Sequence, residues 1–161
     1  MILKSNYIVV LIAALTFVSC DKNYVFDDFH SVGSAWHRDS IVTYNLPKLD
    51  TTKAYDLFVN LRTNNKYPFS NLFLIVALEQ PDGMTKVDTL EYQMSEPDGT
   101  MLGNGFSDIK ESKLYYKEKM KFKAGKYKVQ IKQAVRETGK VNGVQELPGI
   151  TEVGFRIESL E

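Results

Sequence analysis

The chain has 161 residues, with 20 basic and 20 acidic side chains and a formal net charge of zero at pH 7. That balance excludes the general electrostatic pull toward nucleic acid that a strongly basic domain has. A single cysteine excludes an internal disulfide framework, and two histidines leave little material for histidine-based catalysis.

The first element is the N-terminus. Lys4 supplies a positive charge, Tyr7 to Val18 is apolar apart from Thr16, and Ser19-Cys20 follows. A charged start, a short apolar core and a small residue at the cut make a secretory signal peptide, too short for a membrane-spanning helix. Phe17-Val18-Ser19-Cys20 resembles a bacterial lipobox, with Phe17 where Leu is usual. In a lipobox the cysteine, here Cys20, becomes the first mature residue and carries the lipid. The predicted division is a removed signal peptide over 1–19, a lipidated tether over 20–35 and a folded domain over 36–161. The removed part holds one Lys and no acid, so 19 basic and 20 acidic side chains remain. A mature chain of this length buries about two thirds of its unfolded surface, enough for one core. Several acyl chains on Cys20 hold a protein to a membrane where one does not. The expectation is a membrane-tethered domain outside the cytoplasm.

Past the signal, Asp21 to Ala35 has two aromatic spots, Tyr24-Val25-Phe26 and Phe29, and no period. It reads as a tether partly ordered against the domain. From Trp36 onward the period is two. Ile41–Leu46 is a short strand. Tyr55, Leu57, Val59 and Leu61 face one way and Asp56, Asn60 and Arg62 the other, the pattern of a half-buried strand. Leu72 to Leu78 is an unbroken apolar run suited to a central strand covered on both faces, with a buried helix segment as the alternative. Pro81-Asp82-Gly83 and Pro97-Asp98-Gly99 are two turns of one kind, and they bracket a strand carrying Leu90, Tyr92 and Met94. Ser107-Asp108-Ile109-Lys110-Glu111 predicts one capped helical turn. Leu114, Tyr116, Met120 and Phe122 alternate with polar residues, Ala124-Gly125 turns, and Tyr127, Val129 and Ile131 alternate again. Val153, Phe155 and Ile157 close the chain. About seven or eight short strands with regular turns predict an all-β fold, a single antiparallel β-sandwich. Jelly-roll-like and immunoglobulin-like topologies are equally compatible with the pattern. The predicted core is Leu57, Val59, Leu61, Leu72, Leu74, Val76, Leu90, Tyr92, Tyr127, Val129, Ile131, Val153 and Phe155.

Catalytic and cofactor chemistry has little to work with. His30 and His37 precede the first well-marked strand, and there is no Gly-x-Ser-x-Gly elbow. His30, His37 and Asp39 are the one cluster of zinc-type ligands, and Cys20 is committed to lipid. No Asp-x-Asp-x-Asp-Gly calcium loop occurs. The reading is therefore no enzyme, no catalytic residues, no metal, no cofactor and no nucleic acid.

Two surface features remain. Lys117, Lys119 and Lys121 face Lys126, Lys128 and Lys132 across a predicted hairpin, which places six like charges on one sheet face. Such an arrangement is unfavourable without a partner, so it is a candidate docking face for an acidic protein or anionic envelope lipid. Its ordinary alternative is a solvated face that guards against edge aggregation. The aromatics Trp36, Tyr67, Phe69 and Phe73 lie near turns and strand ends. Trp36, Tyr67 and Phe69 are candidate rim aromatics for stacking on sugar, the alternative being rings folded back into the core.

Laid out this way, the chain resembles the gliding-motility lipoprotein H (GldH) family of the Bacteroidota over nearly its whole length. The marks are Cys20-Asp21, Val25-Phe26-Asp27, Trp36-His37, Tyr67-Pro68-Phe69-Ser70-Asn71-Leu72-Phe73-Leu74, Asp88-Thr89-Leu90-Glu91-Tyr92, Pro97-Asp98-Gly99, Asp108-Ile109-Lys110-Glu111 and the stretch Gly149 to Glu158. The resemblance implies a non-enzymatic cell-envelope lipoprotein. It would serve a gliding apparatus linked to type IX protein secretion, through contact with other envelope proteins. It supplies no catalytic residue. It also implies a lineage that O-glycosylates Asp-Ser/Thr followed by an apolar residue or Thr, which makes Ser40, Thr51 and Thr89 candidate acceptors. Surface export in that lineage follows a run of acids after the lipidated cysteine. Cys20-Asp21-Lys22-Asn23 has one acid, so the periplasmic side of the outer membrane is expected. The competing expectation is a lipid-anchored module that binds peptidoglycan or polysaccharide.

Overall fold

The computed structural model describes residues 23–160, and the predicted signal peptide and Cys20 lie outside the described residues. Ten strands form: β1 (Tyr24–Ser31), β2 (Ala35–His37), β3 (Val42–Asn45), β4 (Ala54–Thr63), β5 (Asn71–Glu79), β6 (Thr85–Gln93), β7 (Lys110–Lys121), β8 (Lys128–Gln133), β9 (Glu146–Pro148) and β10 (Ile150–Leu160). No helix occurs among the described residues, and every strand pair is antiparallel. The first sheet has the order β1-β10-β4-β7 and the second β3-β8-β5-β6, while β2 and β9 make a short ribbon. With the ribbon set aside, the eight longer strands run 1-8-3-6 in one sheet and 2-7-4-5 in the other. That interleaving is the jelly roll, not the immunoglobulin sandwich, whose sheets group strands ABED and CFG.

The alternation of apolar residues builds the core directly. Leu57, Val59 and Leu61 of β4 and Val153, Phe155 and Ile157 of β10 are fully buried, as are Leu72, Leu74, Val76 and Leu78 of β5 and Val129 and Ile131 of β8. Each such side chain contributes about 1.5–3 kcal/mol by leaving water. Leu90 and Tyr92 are only partly buried because β6 is an edge strand. Tyr44 links the two sheets: its hydroxyl donates to the Val153 carbonyl at 2.6 Å.

Both Pro-Asp-Gly turns have one design. Asp82 and Asp98 accept the backbone N–H two residues on, at 3.1 and 2.8 Å, and Gly83 and Gly99 adopt positive φ. The predicted helical turn at Ser107–Glu111 does not form. Ser107 Oγ accepts the Ile109 N–H at 3.3 Å, and β7 starts at Lys110. The tether assigned to 20–35 ends early, because Tyr24–Ser31 runs as β1, an edge strand paired with β10. Phe26 is its apolar anchor, edge-on to Tyr44 at 6.4 Å.

Candidate functional site

The outward side chains of β4 are Asp56, Phe58, Asn60 and Arg62. Register places Arg156, Gly154 and Glu152 of β10 beside the last three, and Tyr115, Lys113 and Glu111 of β7 on their other side. Asp27 and Phe29 of β1 extend the row, opposite Arg156 and Gly154. The result is a lattice of alternating charge on the outer face of the first sheet.

Three cations organise it, each on an aromatic ring: the two arginines between two carboxylates apiece, and Lys113 against one. Arg62 donates from Nε to Glu111 at 3.1 Å and from Nη1 to Glu152 at 2.8 Å, with its guanidinium 4.2 Å from the Phe29 ring centre. Lys113 Nζ meets both oxygens of Glu158 at 2.7 and 2.8 Å and lies 4.0 Å over Phe58. Arg156 Nη1 reaches Asp27 at 3.3 Å, with its guanidinium 4.8 Å over Tyr24. Its Nε lies 2.7 Å from Glu158 Oε1 without the alignment of a hydrogen bond, so that contact is charge attraction. The bonds from Glu152 and then Glu111 hold the Arg62 proton more tightly than usual. Burial raises the Asp27 carboxyl above its ordinary range, against the pull of Arg156.

Exposed pairs of this kind each contribute about 0–1 kcal/mol, so the lattice orients groups more than it stabilises the fold. Gly154 is part of the design: a Cβ there would lie 2.8 Å from the Phe29 ring, so the missing side chain lets that ring lie on β10. Asn60, buried beneath, donates to Asp27 at 3.5 Å, and its own Oδ1 has no partner. Tyr115 stands 55% exposed against the Phe58 ring. Arginines held in place and an exposed tyrosine are residue types enriched at protein contacts.

The lysine hairpin is not formed. Lys117, Lys119 and Lys121 are on β7 in the first sheet, and Lys128 and Lys132 are on β8 in the second. Lys126 lies in the connection between them. Phe122 and Tyr127 are the reason: both are buried, with ring centres 4.8 Å apart, so the chain dives through the end of the sandwich and changes sheet. Lys117 pairs with Asp88 at 2.9 Å, and Lys128 pairs with Glu79. Lys132 instead lines a hollow of about 210 Å³ with Arg38 and Arg136.

The rim aromatics are also corrected. Trp36 is fully buried and Tyr67 is 7% exposed. Each has a backbone partner that makes burial affordable: Trp36 Nε1 donates to the Ser40 carbonyl at 3.0 Å and the Tyr67 hydroxyl to the Asn71 carbonyl at 2.7 Å. Phe69 is half-buried, edge-on to Tyr67. Ser40, Thr51 and Thr89 are all exposed, and Thr89 lies on the edge strand β6. His30 lies 3.2 Å from Asp28, and His37 lies 3.9 Å from Asp39 and 3.8 Å from Glu146. Among the described residues, no group of three or more His, Cys, Asp or Glu is placed to hold a metal ion.

The sequence reading overlooked the Arg62 lattice. Its signal was present in the outward residues of β4 and in the alternating Glu152, Arg156 and Glu158, but only the register shows that these rows meet.

The described residues form a jelly-roll domain with one face of ordered, alternating charge. The chain belongs to the GldH lipoprotein family, whose pattern matches residues 24–157. It is 71% identical over 150 residues to the "Gliding motility lipoprotein GldH" of Flavobacterium johnsoniae, covering 93% of this chain and 94% of that protein. It is 56% identical over 145 residues to the "Gliding motility lipoprotein GldH homolog" of Christiangramia forsetii, covering 89% of each. Among solved structures, the latent PorU of Porphyromonas gingivalis aligns with 88% of this chain and 14% of its own, at 8% identity and a TM-score of 0.38, too distant to carry an argument.

Proposed function

We propose that this chain is a cell-envelope lipoprotein, anchored by acylated Cys20, that serves a gliding apparatus by holding a partner protein on the outer face of its first sheet. The anchor is placed on the periplasmic side of the outer membrane, and the machinery is one linked to type IX secretion. The role is non-enzymatic. The relatives named as gliding motility lipoproteins support the gliding role. The observation that carries the contact is the Arg62 lattice, where three cations are pre-set on aromatic rings beside the exposed Tyr115. Groups already held in place lose little freedom on binding. Membrane tethering raises their effective concentration for any membrane-bound partner. The glycan-binding alternative loses Trp36 and Tyr67, which are in the core, and keeps only the half-buried Phe69.

The test is affinity purification of the native protein from membranes, with mass spectrometry of what accompanies it. Gliding or secretion components that are recovered with the native chain and lost with Tyr115→Ala support the reading. Recovery of the protein alone, or of the same partners with Tyr115→Ala and Arg62→Ala, would sink it.

A further inference from the structure

The strand directions bring one end of the jelly roll next to the anchor. In the first sheet, Tyr24 pairs with Glu158, Leu160 with Ala54, and Ala54 with Lys121, so the start of β1 shares an end with the start of β4 and the finish of β7. In the second, Asn45 and Glu79 both pair with Lys128, and Glu79 pairs with Thr85. The links from β3 to β4 and from β7 to β8 join these two sets, and the Leu46 N–H donates to the Tyr127 carbonyl between them at 3.0 Å. Cys20 is four residues before Tyr24, a span of at most about 14 Å.

That end is rich in lysine. Lys48, Lys53, Lys86, Lys119, Lys121 and Lys126 come from four separate parts of the chain and are all exposed there. Among the described residues, none of the six has a carboxylate within 4.0 Å, whereas their neighbours Lys123 and Lys128 pair with Asp82 and Glu79. Two of the acids there are engaged by other groups: Asp50 Oδ1 takes the Thr52 N–H and hydroxyl, and Asp56 takes the Lys119 N–H, while the exposed Glu118 stands among the lysines as one opposing charge. Lys48 and Lys126 also flank an apolar hollow of about 710 Å³ beside Leu46, Ala124 and Tyr127. Loops at the opposite end mix signs, with Glu96, Asp98 and Asp108 against Lys66, Arg136 and Lys140.

We propose that this lysine-rich end is a docking surface for anionic lipid headgroups of the bilayer that holds the anchor, so that the domain stands end-on with both sheet faces clear of the membrane. The proposal rests on the Cys20 anchor. Charge complementarity and the short link both favour lipid as the occupant, since headgroups lie within about two Debye lengths of the surface whenever the anchor is inserted.

The experiment uses native, full-chain lipoprotein in phosphatidylcholine vesicles with and without phosphatidylglycerol. Lysines are labelled by a water-soluble amine reagent and read by peptide mass spectrometry. Labelling of Lys48, Lys53, Lys86, Lys121 and Lys126 falls about fivefold in the anionic vesicles, the weight of one lysine at such a surface, while Lys66 and Lys140 do not change. The effect vanishes at about 1 M salt, where screening is complete within about 3 Å. In a Lys48→Gln, Lys53→Gln, Lys121→Gln, Lys126→Gln variant, Lys86 loses its protection. Equal labelling in both vesicle types overturns the proposal, and so does protection seen only in native membranes, which would mean an acidic protein. Intact mass separates the two readings. Acyl mass with equal labelling refutes the lysine end and leaves the anchor standing, and absent acyl mass refutes the anchor while the lipid contrast still judges the lysines.

Discussion

Raising the pH above 10 is expected to destabilise this domain through its buried tyrosines. Tyr44, Tyr67 and Tyr116 are 1%, 7% and 9% exposed. Burial lifts all three phenols well above their ordinary value of about 10, aided at Tyr116 by a hydrogen bond to Asp88 and at Tyr44 by the charge of Asp28. The folded state therefore keeps protons that the unfolded chain releases. Their stability is fully present below pH 10 and is lost as pH climbs toward the folded values. With Tyr92, whose phenol burial also raises, four retained protons give a slope of about 5 kcal/mol per pH unit, against a typical domain stability of about 5–15 kcal/mol. Urea denaturation followed by far-ultraviolet circular dichroism at successive pH values measures that slope. Tyr44→Phe removes one proton and the bond to Val153, so it costs about 1 kcal/mol at neutral pH and flattens the slope by about a quarter. The reasoning fails if the slope is the same in both proteins. It also fails if all phenolate absorbance develops at pH 10 while the dichroism stays native.

Gly149→Ala is expected to cost about 3 kcal/mol, lowering Tm by about 6–12 °C, because φ is +88° and the new Cβ would lie 2.2 Å from the Tyr67 backbone nitrogen. Gly139→Ala shares the positive φ but meets nothing within 4 Å, so calorimetry should find a drop of only about 1 kcal/mol; equal losses would refute the contact argument. Tyr115→Ala should reduce partner recovery about tenfold with Tm unchanged within a few degrees, as a contact residue would and a core residue would not. O-glycosylation at one or more of Ser40, Thr51 and Thr89 should add mass beyond protein and acyl groups in the native lipoprotein; an intact mass without it ends that reading.

Strands with a strict period of two are legible in the sequence alone. Leu57, Val59 and Leu61, then Val129 and Ile131, then Val153 and Phe155 all lie where alternation placed them. The apolar run Leu72–Leu78 became a central strand, although its second face, with Phe73 and Ile75, is only half-buried. β1 was hidden because an edge strand that buries little beyond Phe26 needs no clean alternation. The false lysine hairpin had a different origin: Ala124-Gly125 signals a turn, but not whether the chain returns beside itself or crosses to the opposite sheet. Phe122 and Tyr127 decide that, and their burial is a tertiary fact. Trp36 was misplaced for a related reason, since its carbonyl partner at Ser40 exists only once the turn after β2 has closed. The Arg62 lattice depends on the β1-β10-β4-β7 order, a non-local pairing that local pattern does not encode.

The pairing of β1 with β10 also has a mechanical meaning. An anchor at Cys20 would draw on β1 from its Tyr24 end, along the strand's own axis, while a partner held on the sheet draws the other way. All seven paired positions, from Tyr24–Glu158 to Ser31–Glu152, then share the load in shear, with no single bond at a peeling front. Threads joined side by side give way far later than threads pulled apart from one end. A domain so anchored and so held would pass traction along β1 without unravelling at its point of attachment.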